Sequence, residues 1–383
     1  TINEASGLNE MLDAGVTWVR TNSLKWSATE KTKGVYTWNG DLEDELANAG
    51  QTDIENILVI NSTPEFYQLY AGIACAPMQE QYFDEFADFM RAVVERYSKP
   101  PYKIEYYEIW NEPDAPLSPG QPDNIYGCWH DPNKPAFAGQ HYGKMLKVVY
   151  PAIKQANSNA KLLVGGLLLD CNPNNCPVDP KPSRFLENIL SVGAGGSFDG
   201  VSFHAYDWYY KDKQGLGVYS NPNWYSAWDT TGPALSLKVD YLRSLLNSKG
   251  LYDKFLINTE VALVCYIWQG DDAHCKTDPF NESKAIYAVQ SYVMAHAKQL
   301  RANIWYAVYG WNYSGLLQGD NTPYPVYDSY AFTSQMLGKT KWIETLDLGS
   351  GLYAYNFRVP LKNIWVVWSK DGSSQNVDLG DVP

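Results

Sequence analysis

Short apolar segments alternate with longer amphipathic ones along most of this chain, and this alternation limits the folds available to it. Between the apolar segments lie runs with a helical spacing of apolar residues, for example at 82–97, 141–156 and 283–300. Strands that are apolar on both faces and separated by helices predict a parallel sheet covered by helices on both sides. The seven predicted strands span 16–20, 57–61, 104–112, 162–170, 198–206, 255–260 and 302–311.

The absence of a nucleotide-binding loop decides between two kinds of α/β fold. Neither a G-x-G-x-x-G nor a Walker A motif follows any predicted strand, which disfavours a doubly wound nucleotide-binding sheet. We therefore predict an α/β fold of the (β/α)8 TIM-barrel type over residues 1–338. Because a helical segment at 4–14 precedes the first predicted strand, strand 1 of the barrel would be minimal or missing at the N-terminus.

The pattern changes after the last predicted helix. Segments 351–360 and 363–369 are rich in β-forming residues and are separated by a turn-like Leu-Lys pair, which predicts a hairpin. Residues 339–383 are therefore predicted to form a short β-rich tail. This small C-terminal β appendage would pack on the barrel, alone or as part of a β-sandwich.

Composition excludes several classes of partner and chemistry. The formal net charge is −13 and the sequence pI is about 4.9, so a phosphate-rich partner would be repelled and we predict no binding to nucleic acid. No stretch approaches the roughly 20 apolar residues of a membrane span, and we predict no membrane association. A G-x-S-x-G motif and metal-ligand spacing of His and Cys are both absent, so we expect no metal and no other cofactor.

Six cysteines lie in predicted loops, which favours disulfides in an exported protein over buried thiols. The pairs that are close in sequence, Cys171–Cys176 and Cys265–Cys275, leave Cys75 to pair with Cys128. Other pairings of six cysteines stay open. A secreted or extracellular location follows as a prediction.

Polar and aromatic residues stand at the C-terminal ends of the predicted strands, where barrel enzymes carry their chemistry. Two of them, Glu112 and Glu260, are carboxylates that end strongly apolar strands, and burying either one unpaired would be costly. By strand count they belong to the fourth and seventh strands of a barrel, across the same mouth. The other residues at these ends include Arg20, Asn111, His204, Tyr206 and Trp311.

Two facing carboxylates in an aromatic-rich cleft can cleave a glycosidic bond, one as a protonated acid and the other as an ionised group. Arg20 could stabilise an anionic Glu260. His204 and Tyr206, which face the same way along one strand, could do so as well. Glu112, in apolar surroundings, could keep its proton.

Each of these residues also has a purely structural interpretation, as an ion-pair partner, a strand-end cap or a core side chain. The same choice applies to the aromatic loop 207–228, which begins with Asp207 and Trp208 and contains seven Trp and Tyr residues. Loops seldom carry so many aromatic side chains without a use, so we predict that Trp208 and its neighbours bind further sugars. Packing of these side chains under their own loop is the alternative.

The segment "EIWNEP" at 108–113 resembles the acid/base strand of clan A glycoside hydrolases, in which an Asn-Glu pair ends strand 4. The segment "INTEV" at 257–261 is similar to the strand 7 segment that carries their nucleophile. Further resemblance is to glycoside hydrolase family 39, with relatives of family 5 second. The segments that carry it are 14–20, 57–67, 201–209 and 322–332.

This resemblance implies a role for each matching residue. Asn111 would hydrogen-bond the sugar 2-hydroxyl, Glu112 would act as acid and then as base, and Glu260 would be the nucleophile. The remaining implied roles are supporting ones: contact with the nucleophile by Arg20 and Tyr206, lining of the sugar site by His204, and the floor of that site by Trp311.

The sequence therefore predicts a retaining glycoside hydrolase that cleaves β-glycosidic bonds of oligo- or polysaccharides by double displacement. The resemblance implies β-xylosides first and β-glucosides next. In a retaining enzyme the two carboxyl groups would lie about 5 to 5.5 Å apart. The alternative is a non-catalytic carbohydrate-binding barrel, which would be expected to lack one of the carboxylates. Exo or endo action and the oligomeric state stay open.

Overall fold

The computed structural model describes residues 2–117, 127–131, 133–170, 172–173, 184–209, 224–225, 228, 232–267, 269–349 and 351–378. Its main sheet consists of β1 (Trp18–Arg20), β2 (Leu24–Lys25), β3 (Glu55–Asn61), β4 (Tyr106–Asn111), β5 (Lys161–Leu167), β6 (Gly200–Tyr209), β7 (Trp224–Tyr225), β8 (Phe255–Cys265) and β9 (Asn303–Trp305). Neighbouring strands follow the order β1-β3-β4-β5-β6-β8-β9, with β2 beside β3 and β7 antiparallel to β6. The sheet is a nearly closed barrel of parallel strands alternating with helices, so the predicted TIM-barrel fold class is confirmed.

The helices are α1 (Leu8–Asp13), α2 (Trp26–Thr29), α3 (Gly40–Gly50), α4 (Phe83–Tyr97), α5 (Phe137–Ala156), α6 (Phe185–Ser191), α7 (Leu235–Ser248), α8 (Asp278–Ala297) and α9 (Pro325–Leu337). Several begin at recognisable start signals. The Asn39 side chain caps α3 by accepting hydrogen bonds from two backbone amides of its first turn. Helices α8 and α9 both carry proline in the first turn, where its missing amide hydrogen is not needed.

Strands β8 and β9 differ in length from the prediction. Strand β8 continues beyond Glu260 to Cys265, because its end stays hydrogen-bonded to the end of β6. Strand β9 ends at Trp305, because the chain beyond it folds back on itself, with amides at 316 and 317 donating to carbonyls at 307 and 308. Glu260 therefore lies inside its strand, and Trp311 lies in the loop that follows β9. Among the described residues no strand precedes β1.

A separate antiparallel sheet follows the last helix, in agreement with the predicted β appendage. It consists of β10 (Lys341–Thr345), β11 (Leu352–Val359) and β12 (Lys362–Ser369), in that order. The predicted hairpin is β11 and β12, which pair from Leu352 opposite Ser369 to Val359 opposite Lys362. Phe357 of β11 stacks on His296 of α8, with ring centroids 5.0 Å apart. The predicted domain boundary between residues 338 and 339 stays a prediction.

Two of the three predicted disulfides lie within the described residues, and both are present. Cys75–Cys128 joins the segments that follow β3 and β4, with an S–S distance of 2.04 Å. Cys265–Cys275 joins the end of β8 to the turn before α8. The third predicted pair, Cys171–Cys176, lies outside the described residues.

The chain divides into two compact units. The first comprises residues 1–8, 17–204 and 242–259, and the second comprises residues 9–16, 205–241 and 260–383. No described helix is both long enough and apolar enough to pass through a bilayer.

Candidate active site

The end of β4 has a backbone conformation that directs Asn111 and Glu112. Trp110 and Glu112 have φ angles of 70° and 46°, in the left-handed region, which costs a non-glycine residue about 1–3 kcal/mol. The amide of Glu112 donates to the Gly166 carbonyl at 3.0 Å, and the amide of Gly127 donates to the Asn111 carbonyl at 2.5 Å. These hydrogen bonds hold the strand end in the strained form.

The hydroxyl of Tyr142, on α5, bridges β4 and β5 immediately before this strained end. It donates to the Ile109 carbonyl at 2.5 Å and accepts from the Gly165 amide at 3.0 Å, so it stands where a direct strand-to-strand hydrogen bond would otherwise form. Tyr142 is fully buried, and burial raises its pKa, so the hydroxyl keeps its proton. A side chain at Gly165 would not fit, since its Cβ would lie 2.1 Å from the Ile109 oxygen.

Glu112 and His204 form a buried pair in the first unit. Nδ1 of His204 lies 2.7 Å from Oε1 of Glu112, and the two residues are 0% and 3% exposed. Gly166, in β5, makes room for the imidazole, because a Cβ there would lie 2.2 Å from Nε2 of His204. The predicted residues Glu112 and His204 are thus brought together as a carboxyl group and an imidazole in direct contact.

Arg20 connects Asn111 to a carboxylate that sequence reasoning did not single out. Its Nε and Nη2 atoms donate to Oε1 of Glu108 at 3.0 and 2.5 Å, and Nη2 also donates to Oδ1 of Asn111 at 2.7 Å. Glu108 lies inside β4 and is fully buried. In the first unit the partners of Arg20 include Glu108 and Asn111, and its predicted contact with Glu260 stays a prediction.

Asp114 anchors the loop after β4 to the end of β5. It is 2% exposed, and its two oxygens accept hydrogen bonds from the amides of Leu168 and Leu169 at 2.8 and 3.0 Å. Burial raises the pKa of Asp114 to about 7, and the nearby Glu112 also raises it, against the lowering effect of the two amides. A carboxyl group with a pKa near neutrality therefore lies two residues from Glu112.

Glu260 and Tyr206 form the corresponding pair in the second unit. The Tyr206 hydroxyl donates to Oε2 of Glu260. Glu260 is 7% exposed. The predicted contact between Tyr206 and Glu260 is therefore present.

Aromatic rings surround Tyr206 in the second unit. Its ring meets those of Tyr306 and Trp311 edge to face, each with a centroid distance of 6.1 Å. Trp208 meets Trp311 at 5.9 Å and Tyr266 at 5.8 Å. The predicted aromatic residues Trp208 and Trp311 therefore belong to one cluster. Trp311 is 47% exposed, so the cluster is partly open to solvent. Most of the loop after Tyr209 lies outside the described residues.

A buried lysine holds the loop that carries Trp311. Nζ of Lys284, on α8, donates to the carbonyls of Tyr313 and Gly315 at 2.8 and 3.1 Å and lies 4.2 Å from the ring centroid of Tyr324. Lys284 is fully buried, and burial lowers its pKa to about 7. The position of Trp311 thus depends on a side chain from a neighbouring helix, which no sequence motif indicated.

A candidate metal cluster in the second unit does not fit a metal ion. Cys265, His274 and Cys275 place their ligand atoms close together, but the disulfide occupies both sulfur atoms, and His274 Nε2 lies 2.8 Å from the Tyr266 carbonyl oxygen. A thiolate ligand requires a reduced cysteine. This cluster is therefore a braced turn.

The residues that shape the site and were missed by sequence reasoning include Glu108, Asp114 and Gly166, besides Tyr142 and Lys284. Glu108 left a usable signal, because a carboxylate inside an otherwise apolar strand needs a cation. Asp114 and Gly166 leave no such signal. The partners of Asp114 are backbone amides, which every residue except proline has, and the close approach of His204 to Gly166 is visible only in the folded structure.

Comparisons with family models and with curated proteins found no match. Solved structures do match, over nearly the whole chain. A family 39 glycoside hydrolase from the gut symbiont Bacteroides cellulosilyticus WH2 is 18% identical with a TM-score of 0.67, covering 96% of this chain and 68% of that one. A GH30 endoxylanase from Clostridium papyrosolvens C71 is 14% identical, with a TM-score of 0.55 and coverages of 96% and 78%. A monomeric β-xylosidase from Caulobacter crescentus CB15 is 14% identical, with a TM-score of 0.57 and coverages of 94% and 72%.

These likenesses establish the fold. The predicted resemblance to clan A glycoside hydrolases, and to family 39 among them, is confirmed at that level.

Proposed function

We propose that this protein is a retaining glycoside hydrolase in which Glu112 is the acid and base and Glu260 is the nucleophile. The observation that carries the proposal is that each carboxylate has its own partner on β6, His204 for Glu112 and Tyr206 for Glu260. Residues two apart on a strand project from the same face. Two partnered carboxylates, one able to act as an acid and one as a nucleophile, are what a retaining reaction on one sugar requires.

In the first step the Glu112 carboxyl group gives its proton to the glycosidic oxygen while a carboxylate oxygen of Glu260 attacks the anomeric carbon. The bond from that carbon to the leaving oxygen breaks, an alcohol departs, and an ester to Glu260 forms with inverted configuration. The Tyr206 hydroxyl, which donates to Oε2 of Glu260, orients that carboxylate for the attack. Glu112, in contact with the His204 imidazole, is the group to which we assign the proton that this step consumes.

In the second step the Glu112 carboxylate takes a proton from water, and the water oxygen attacks the anomeric carbon. The ester bond breaks, Glu260 leaves as a carboxylate, and the second inversion restores the original configuration. Asn111 donates to the sugar 2-hydroxyl through both steps, a contact that strengthens as positive charge develops at the anomeric carbon.

The substrate that we propose is an oligo- or polysaccharide with β-xyloside or β-glucoside linkages. Trp311, which is 47% exposed, and Trp208 beside it offer aromatic faces to sugar rings. Neighbours of the same fold include an endoxylanase and a β-xylosidase, which supports a xylose-containing substrate first. The two disulfides support a secreted protein.

The test uses two variants and azide, on a panel of aryl β-xylosides and β-glucosides. Glu260→Ala should lose several orders of magnitude in rate on every substrate, whereas Glu112→Ala should keep the glycosylation of dinitrophenyl glycosides, whose leaving group needs no proton. Azide should give a product of retained configuration with Glu112→Ala and of inverted configuration with Glu260→Ala.

Glu80→Ala serves as the control, because Glu80 forms an exposed ion pair with Lys144 on the barrel exterior. Products of the same configuration from both variants would refute the assignment of roles. A wild-type protein that binds oligosaccharides but hydrolyses no aryl glycoside would support the non-catalytic carbohydrate-binding barrel instead.

A further inference from the structure

We propose that Glu108 is a positioning residue for glycoside cleavage, which acts through Arg20 to fix the end of the Asn111 carboxamide that faces the sugar. This inference rests on the proposed function and extends it from the reacting carboxylates to the recognition of the sugar 2-hydroxyl. Nothing in the "EIWNEP" motif by itself says which way the Asn111 amide points.

Within the part of the chain that the structure describes, the Glu108 side chain has one hydrogen-bond partner, Arg20. Its residue is fully buried, and Oε1 accepts two hydrogen bonds from Arg20, at 3.0 and 2.5 Å. Among the described residues no other group donates to Glu108, and its Oε2 atom is buried without a hydrogen-bond partner. Any effect of the Glu108 charge on the site is therefore transmitted by the Arg20 guanidinium.

The contact with Arg20 determines the orientation of the Asn111 carboxamide. A guanidinium has five N–H donors and no acceptor, so the amide atom that lies 2.7 Å from Nη2 of Arg20 is the carbonyl oxygen. The NH2 group then lies on the opposite side of the Asn111 carboxamide, away from Arg20. An NH2 group donates, which is what a sugar hydroxyl oxygen needs when charge develops beside it.

The shared hydrogen bonds hold Glu108, Arg20 and Asn111 in one fixed arrangement. Two of the guanidinium nitrogens contact one carboxylate oxygen, and Nη2 is shared between Glu108 and Asn111. Without the buried carboxylate, the guanidinium loses the contacts that fix its plane. The Asn111 carboxamide could then rotate by half a turn and present its oxygen to the substrate.

The experiment compares pairs of aryl glycosides that differ only in the 2-hydroxyl. We measure kcat and KM of wild type, Glu108→Gln and Asn111→Ala on a dinitrophenyl glycoside and on its 2-deoxy analogue, with the sugar that wild type hydrolyses fastest. Glu108→Gln should lower kcat/KM on the 2-hydroxy substrate by roughly tenfold or more, mainly through kcat, because the contact strengthens in the transition state. On the 2-deoxy substrate it should change kcat/KM by less than about threefold.

Two further variants keep the inference testable if Glu108→Gln folds poorly. Arg20→Lys retains the charge but cannot span two acceptors in one plane, and it should show the same dependence on the 2-hydroxyl. Glu108→Gln combined with Asn111→Ala should be no slower than Asn111→Ala alone. Glu80→Gln, which breaks an exposed ion pair, is the matched control and should leave both rates unchanged.

Equal losses on the 2-hydroxy and 2-deoxy substrates would overturn the positioning role and leave Glu108 a structural residue. That result would not touch the proposed function, since wild type would still hydrolyse both substrates. A wild type that hydrolyses neither would refute the proposed function and, with it, this inference.

Discussion

Replacing Gly166 by alanine should disable the proposed acid/base group through a single contact. The added Cβ would lie 2.2 Å from Nε2 of His204, about 1.2 Å closer than an ordinary 3.4 Å contact. His204 is fully buried and cannot move into solvent. An imidazole displaced by that amount can no longer hold its 2.7 Å hydrogen bond to Glu112.

The cost has two parts. Overpacking of this kind costs about 1–3 kcal/mol, and the loss of a buried hydrogen bond to an ionisable group costs about 1.5–3 kcal/mol. Gly166→Ala should therefore lower the free energy of unfolding by roughly 3–5 kcal/mol in urea titrations. On aryl glycosides with poor leaving groups kcat/KM should fall by about 10²–10⁴-fold, because proton transfer from Glu112 is lost. Dinitrophenyl glycosides should be affected much less.

A double-mutant cycle identifies the contact responsible. In a His204→Ala background the added methyl group has space, so Gly166→Ala should cost about 1–3 kcal/mol less than in wild type. Gly165→Ala is the matched control, because its Cβ would collide with the Ile109 carbonyl and not with His204, and its cost should be equal in both backgrounds. If Gly166→Ala destabilises both backgrounds equally, the clash with His204 is not its cause.

Three further outcomes are expected. Tyr142→Phe removes the hydroxyl that bridges β4 and β5 and should destabilise the protein by about 1–3 kcal/mol in urea titration, with a larger fractional loss of kcat than a surface Tyr→Phe change. Burial lowers the pKa of Lys284 to about 7, so between about pH 7 and pH 10 the unfolded chain binds a proton that the folded chain lacks. The free energy of unfolding of wild type should therefore rise with pH across that window. Lys284→Met should abolish this rise. A difference in free energy of unfolding between wild type and Lys284→Met that does not change with pH over this range would contradict the prediction. Replacing both Cys75 and Cys128 by serine removes a cross-link between residues 53 positions apart and should lower the free energy of unfolding by up to about 4 kcal/mol. An unchanged melting temperature would show that the disulfide contributes little to stability.

The barrel strands could be predicted because each is a continuous apolar run bounded by turn residues. The same rule failed at β9, where the apolar run continues past Trp305 but the carbonyls of 307 and 308 accept hydrogen bonds from the amides of 316 and 317. It also failed at β8, whose pairing continues beyond Glu260. Pairing between segments far apart in sequence decides such boundaries, and single-segment patterns do not contain it. Strand β10, a largely exposed segment, was missed for the same reason.

Some residues of the candidate site could be predicted from the sequence, whereas most of the contacts between them could not. Glu112 could be found from its motif, and Tyr206 from its spacing to His204, because both signals are local in sequence. The pairing of His204 with Glu112 and of Arg20 with Glu108 could not be assigned, since each joins residues about ninety positions apart and several partners were chemically acceptable. Lys284 is the extreme case, because its acceptors are backbone carbonyls that any residue would supply.

The left-handed residues at the end of β4 have a consequence for protein engineering. If "EIWNEP" were grafted onto a strand of another barrel, the recipient would receive the letters but not the directions of the side chains. Trp110 and Glu112 would relax to extended backbone there, because the strained form depends on hydrogen bonds with Gly166 and Gly127 and on the Tyr142 hydroxyl just before it. The smallest transferable unit is therefore four separate segments: the strand end, the residues around Gly127, one turn of the following helix, and the paired glycines of the strand after it.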